Sequence, residues 1–138
     1  MLIPCIHFPG NCDEAIAFYK KTLGAEVKEI NYFRDRPENS GMDDNLPPNF
    51  VMNSDLLIFG SPMMMTDGGE KQLTGDSFSF CICLDSTEEV TAVFNKLADG
   101  GKIVEALAPQ FWASLYGMVE DRFGVGWQVM TNSCNNSK

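Results

Sequence analysis

Residues 10–26, GNCDEAIAFYKKTLGAE, decide the fold, because the same arrangement returns 76 residues further on. Three signals mark this stretch as a helix. Asn11 stands as its N-cap, with Glu14 three residues later to complete a capping box. Ile16, Tyr19 and Leu23 fall on one face, and Gly24 sits where a C-terminal stop belongs. The preceding run LIPCIHF (2–8) suits a short strand, with Pro4 confining it to an edge or an early position. The following run AEVKEINYF (25–33) alternates in part. Residues 34–48, RDRPENSGMDDNLPP, are charged and rich in proline, which reads as a loop long enough to be functional or mobile.

Further along, FVMNSDLLIFG (50–60) and MMMTDG (63–68) read as two strands joined by a tight turn. EKQLTGD (70–76) is a second loop. SFSFCICLD (77–85) alternates as a strand should. STEEVTAVFNKLADGG (86–101) is a second helix, with Ser86 and Glu89 as its capping box. KIVEALAP (102–109), SLYGMVED (114–121) and GWQVMT (126–131) complete the strands, and the tail NSCNNSK is polar and frayed. In register, Phe18 matches Phe94, Gly24 matches Gly100, and Val27 matches Ile103. The expectation is an α+β fold of two βαβββ modules, about 1–68 and 77–131 within one domain spanning 1–138, whose sheets pair into a shared concave surface.

Bulk properties narrow the function classes. A chain of 138 residues that is 44% hydrophobic and 21% charged has the composition of a folded protein and not of a disordered one. Its net charge of −9 argues against a nucleic-acid partner, which requires clustered Lys and Arg. No stretch approaches the roughly 18 apolar residues of a membrane span. The cysteines (Cys5, Cys12, Cys81, Cys83 and Cys134) are odd in number and lack a CxxC pair, which fits reduced thiols in the cytoplasm. Cys81 and Cys83 alternate on one strand and are expected to share a face.

Two such modules in a chain of this size resemble the vicinal oxygen chelate superfamily, which includes glyoxalase I, extradiol dioxygenases and bleomycin-resistance proteins. Within it, FPGNCDEAIAFYKKTLGAE, MMMTD and FWASLYGMVEDRFGVGW are similar to the PhnB-like group. The resemblance spans residues 2 to 131 and implies a homodimer with its sites in a cavity enclosed by the sheets. Some PhnB-like sequences are described as demethylubiquinone methyltransferases. A Rossmann-like methyltransferase needs a strand–GxGxG–helix unit, and this chain has none.

The resemblance also implies where metal-dependent members would place four ligands, and this chain departs at each position. The first falls on Pro4, which offers no side-chain donor. His7, the only histidine, has the opposite parity and is expected to face the helix; packing, a pocket role and a metal role are its three readings. The second belongs near Met63, Met64, Met65, Thr66 and Asp67, where only Asp67 suits a hard dication. Related sequences carry a histidine where this chain has Asn53, and an amide cannot relay protons as imidazole does. The third lies among Ser77, Ser79 and Cys81. The fourth is Gln128, where a glutamate is typical. These donors give no expected metal site and no expected cofactor.

What remains is an apolar, sulfur-rich and aromatic lining suited to a small molecule. The expected ligand-binding residues are Asn53, Met63, Met65, Phe111, Trp112, Tyr116 and Gln128; no catalytic residue is assigned. The Met run reads either as core filling or as an adaptable wall. Phe111, Trp112 and Tyr116 either stack on a flat ligand or pack at a subunit interface. If Gln128 faces the cavity, Trp127 packs behind the sheet. Asp121 is expected to cap the turn before RFG. The function expected is binding of a small apolar or aromatic molecule without a metal. The alternative is an enzyme of the same superfamily whose activity uses a metal bound elsewhere or the loop 34–48.

Overall fold

Strand alternation and two helix stops build the same four-stranded unit twice. The computed structural model describes residues 1–38, 41, 45–69 and 77–132. The chain divides into two compact units, Met1–Gln72 and Leu73–Lys138. In the first, β1 (Cys5–Phe8), α1 (Cys12–Leu23), β2 (Glu26–Tyr32), β3 (Val51–Ile58) and β4 (Ser61–Asp67) follow one another. In the second the order is β5 (Phe80–Leu84), α2 (Thr87–Ala98), β6 (Lys102–Gln110), β7 (Ala113–Glu120) and β8 (Gly126–Thr131). The sheets are ordered β1-β4-β3-β2 and β5-β8-β7-β6. Each holds one parallel pair, β1 with β4 and β5 with β8, and two antiparallel pairs. This is the expected α+β pattern. The loop expected at 70–76 and most of the tail lie outside the described residues.

In the first unit Ile6, Phe8, Leu56, Ile58, Met63 and Met65 are buried, as are Ala15, Ile16, Tyr19 and Leu23 of α1. Gly24 closes α1 in the left-handed conformation at φ 65°, as its position in the sequence suggests. The expected N-cap is different. Asn11 makes no side-chain capping bond. Instead, the Asp67 carboxylate at the end of β4 accepts the Cys12 N–H at 2.9 Å through Oδ1, and the Val51 N–H at 2.9 Å through Oδ2. One buried carboxylate therefore satisfies the start of both α1 and β3, and its negative charge lies at the positive end of the helix.

Between β3 and β4 the reversal is a two-residue turn, with Phe59 at φ 50° and Gly60 at φ 79°. Positive φ at both central residues matches the right-handed twist of the flanking strands. The described parts of loop 34–48 are tied at their ends. Phe33 N–H donates to Phe50 O at 2.7 Å, and Arg34 N–H donates to Pro48 O at 3.0 Å. Arg36 lies 3.9 Å over the buried Phe33 ring. Residues 39, 40 and 42–44 lie outside the description.

In the second unit α2 begins as expected, with the Glu89 N–H donating to Ser86 Oγ at 3.1 Å. Its buried residues Val90, Phe94 and Leu97 pack on the sheet face that carries Ile82, Leu84, Val119, Trp127 and Val129. Gly117 in β7 permits this approach. A Cβ there would stand 2.7 Å from Phe94 Cε1 and 2.8 Å from Leu107 Cδ2. Asp121 caps the β7–β8 turn as expected, accepting the Phe123 and Val125 N–H groups at 2.9 and 3.1 Å. Its other oxygen accepts the Trp127 indole N–H at 2.9 Å.

Candidate functional site

With α2 covering one face of the second sheet, the other face carries the chemistry. Pairing in register puts Cys81, Gln128 and Met118 side by side across β5, β8 and β7, with Cys83, Met130 and Tyr116 in the next row. Gln128 is held at both ends of its amide. Its Nε2 donates to Ser79 Oγ at 2.9 Å, and its Oε1 accepts from the Tyr116 hydroxyl at 2.9 Å. Both partners are hydroxyls, and together they hold the amide at its two ends. Burial, followed by the nearby Glu105 and Cys81 groups, raises the Tyr116 pKa above that of an ordinary phenol, so the hydroxyl stays a donor.

From Tyr116 an aromatic series runs outward. Its ring lies 5.2 Å from Trp112, edge to face, and Trp112 lies 4.8 Å from Phe111 at 86°. Tyr116 is 6% exposed, Trp112 38% and Phe111 96%, so the series grades from buried to open. Phe111 and Trp112 form the two-residue connection between β6 and β7. Such a ladder ending in a polar amide offers a flat molecule ring contacts along its length and a hydrogen-bonding anchor at its base. Trp127 is 1% exposed on the opposite face, as the parity of Gln128 requires.

Four of the seven expected residues are thus brought together in the second unit: Phe111, Trp112, Tyr116 and Gln128. Asn53 lies on the exposed face of the first sheet, where its Oδ1 accepts from Asn31 Nδ2 at 2.7 Å. Met63 and Met65, also expected as ligand-binding residues, do not join this group. They are 7% and 0% exposed and lie in the core with Leu56 and Ile6, their partners in register; Met64, between them, takes the other face. The orientation expected for His7 is also reversed. Ile6 and Phe8 turn inward, so His7 is exposed, with its Nδ1 3.0 Å from Thr66 Oγ1. The register that matters begins at Cys5, because Pro4 precedes the strand.

The donor sets do not fit the metal that the superfamily resemblance implies. Among the described residues no group of three or more His, Cys, Asp or Glu could hold an ion. Asp67, the one carboxylate expected to serve in the first unit, spends both oxygens on backbone N–H groups. In the second unit Gln128 offers a neutral oxygen already bonded to Tyr116, beside Ser79. A hard dication is held by several oxygen donors with charged carboxylates among them, and beside Gln128 this set supplies no carboxylate. Cys12 is likewise unsuited to reactivity. Burial first, then the Asp67 charge, pushes its thiol far above the ordinary range.

Comparison with known proteins agrees with this architecture. Residues 1–130 match the family described as 3-demethylubiquinone-9 3-methyltransferase. Protein YjdN of Escherichia coli (strain K12) is 36% identical over 140 residues, covering 93% of this chain and 92% of that protein. The crystal structure of PA1353 from Pseudomonas aeruginosa superposes with a TM-score of 0.82 at 32% identity, covering 96% and 97% of the two chains. The fosfomycin resistance protein FosX of Listeria monocytogenes is similar at a TM-score of 0.67 and 12% identity, covering 96% of this chain and 92% of that one. At that identity the likeness shows the fold alone.

Proposed function

This chain belongs to the PhnB-like family described as 3-demethylubiquinone-9 3-methyltransferase, with the fold of the vicinal oxygen chelate superfamily, and on that premise we propose that it binds a small apolar or aromatic molecule without a metal. The observation that carries the reading is the Phe111–Trp112–Tyr116 ladder ending on the doubly held Gln128 amide. The ladder supplies apolar contact, and the amide supplies orientation. A homodimer in the cytoplasm is part of the same proposal; sedimentation of the purified chain checks the dimer.

The methyltransferase description gains no support from the folded units. Their sheets are mixed, and among the described residues no glycine-rich turn links a parallel strand to a helix in the manner that binds a nucleoside cofactor. A thermal-shift screen of aromatic and amphipathic compounds tests the binding reading. Compounds that raise the midpoint of the wild-type protein but not of Trp112→Ala support it. If no such compound raises the midpoint, the reading fails.

A further inference from the structure

We propose that Cys81, Cys83 and Met130 form a site for a soft monovalent cation, copper(I) in particular. Cys81 and Cys83 share the open face of β5, both exposed, with their sulfurs 3.9 Å apart. Met130 of β8 stands in register with Cys83, so its thioether rises from the same face one strand away. Two thiolates and a thioether on one face are the donor set that soft d¹⁰ ions select over oxygen ligands.

The spacing agrees with a shared ligand. Two metal–sulfur bonds of about 2.3 Å opened to a trigonal angle place their sulfurs about 4.0 Å apart. That is close to the 3.9 Å separation of the Cys81 and Cys83 sulfurs. A disulfide fits less well. Strand residues two apart have Cα atoms separated by roughly 6.4–6.8 Å, at the outer edge of the range a disulfide spans. Zinc fits less well too, since a structural site needs four donors, and no third His, Cys, Asp or Glu joins the pair among the described residues.

Binding balances without any redox step. Each thiol loses its proton to solvent, copper stays in the +1 state, and the thioether donates a lone pair. The resulting bis-thiolate complex carries one net negative charge. Because protons are released, affinity falls as pH falls. Titratable groups around this site include Tyr116 of β7, in register with Met130, Glu105 of β6, in register with Met118, and Asp85, two residues beyond Cys83. The site does not depend on the small-molecule reading, although Cys81 and Gln128 are neighbours in register.

The test is an anaerobic titration of the full chain with copper(I) against a chromogenic chelator, with near-ultraviolet thiolate-to-copper absorption as a second readout. One equivalent is expected to bind. Cys81→Ser and Cys83→Ser should each weaken it by about a hundredfold or more, and Met130→Leu by about tenfold, given that even outer-sphere partners cost 10–100-fold. Cys5→Ser and Cys134→Ser should bind as the wild type does. Unchanged affinity in the doubly substituted Cys81→Ser/Cys83→Ser chain, or loss on Cys134→Ser, overturns the proposal. Thermal melts without copper confirm that each variant is folded, and the aromatic-compound screen, run without copper, reads the other proposal separately.

Discussion

The Tyr116 hydroxyl donates to Gln128 Oε1 at 2.9 Å, joining β7 to β8 across a diagonal of the open face. This bond makes Gln128 an anchored amide, with its nitrogen committed to Ser79 at the other end. Removing the donor by Tyr116→Phe leaves the ring stack in place. It should cost about 1 kcal/mol of stability, the net worth of one such bond. Urea unfolding of the two proteins measures this. Gln128→Glu should not create tight, stoichiometric manganese binding, because the surrounding hydroxyls add no charged donor; isothermal titration with manganese checks that.

Asp67 serves two backbone donors from within the core. Asp67→Asn keeps the shape but turns an acceptor into a donor facing an N–H group. The loss should be about 2–3 kcal/mol, the scale of charge-assisted bonds left unmade. A lowered denaturation midpoint with an unchanged m-value would confirm that the effect is on the native state.

Gly117 is needed for space and not for backbone freedom. Gly117→Ala drives a methyl group into Phe94 and Leu107. Overpacking of this kind costs about 1–3 kcal/mol. Pairing it with Phe94→Leu should recover part of the loss, which a double-mutant cycle on unfolding free energies reads directly.

Tyr32 donates to Asp13 Oδ1 at 2.6 Å at the start of α1. That bond, followed by burial and the Asp13 charge, pushes its pKa up to about 12 from 10.0. A raised pKa in the folded state means that the folded protein holds the proton more tightly. The stabilisation is therefore fully present below pH 10 and is lost as pH rises toward about 12. The stability difference between wild type and Tyr32→Phe should be constant from pH 7 to 9 and shrink above pH 10. Absorbance titration of the phenolate follows the same window.

The elements were legible in the sequence because their signals are local. Both helices, the Gly24 stop, the shared face of Cys81 and Cys83, and the Asp121 turn each depend on neighbours a few residues away. The Asp67 clamp was not legible, since its partners lie 55 and 16 residues distant. Nor could a run of three methionines reveal its own parity, because every residue in it suits either face. Counting from Pro4 puts His7 on the wrong face, because Pro4 lies before the first strand pair. For the site, Gln128 and its aromatic neighbours stood out as residue types, but the bonds to Ser79 and Tyr116 arise only when three strands align.

The most direct test of the central claim is an NMR titration of the isotope-labelled protein with a compound selected by thermal shift. The Gln128 side-chain amide and the Trp112 indole N–H should shift together and saturate with one affinity, while the Trp127 indole, held by Asp121 behind the sheet, moves little. Saturable shifts confined to other residues, with Gln128 and Trp112 unmoved, would contradict the account.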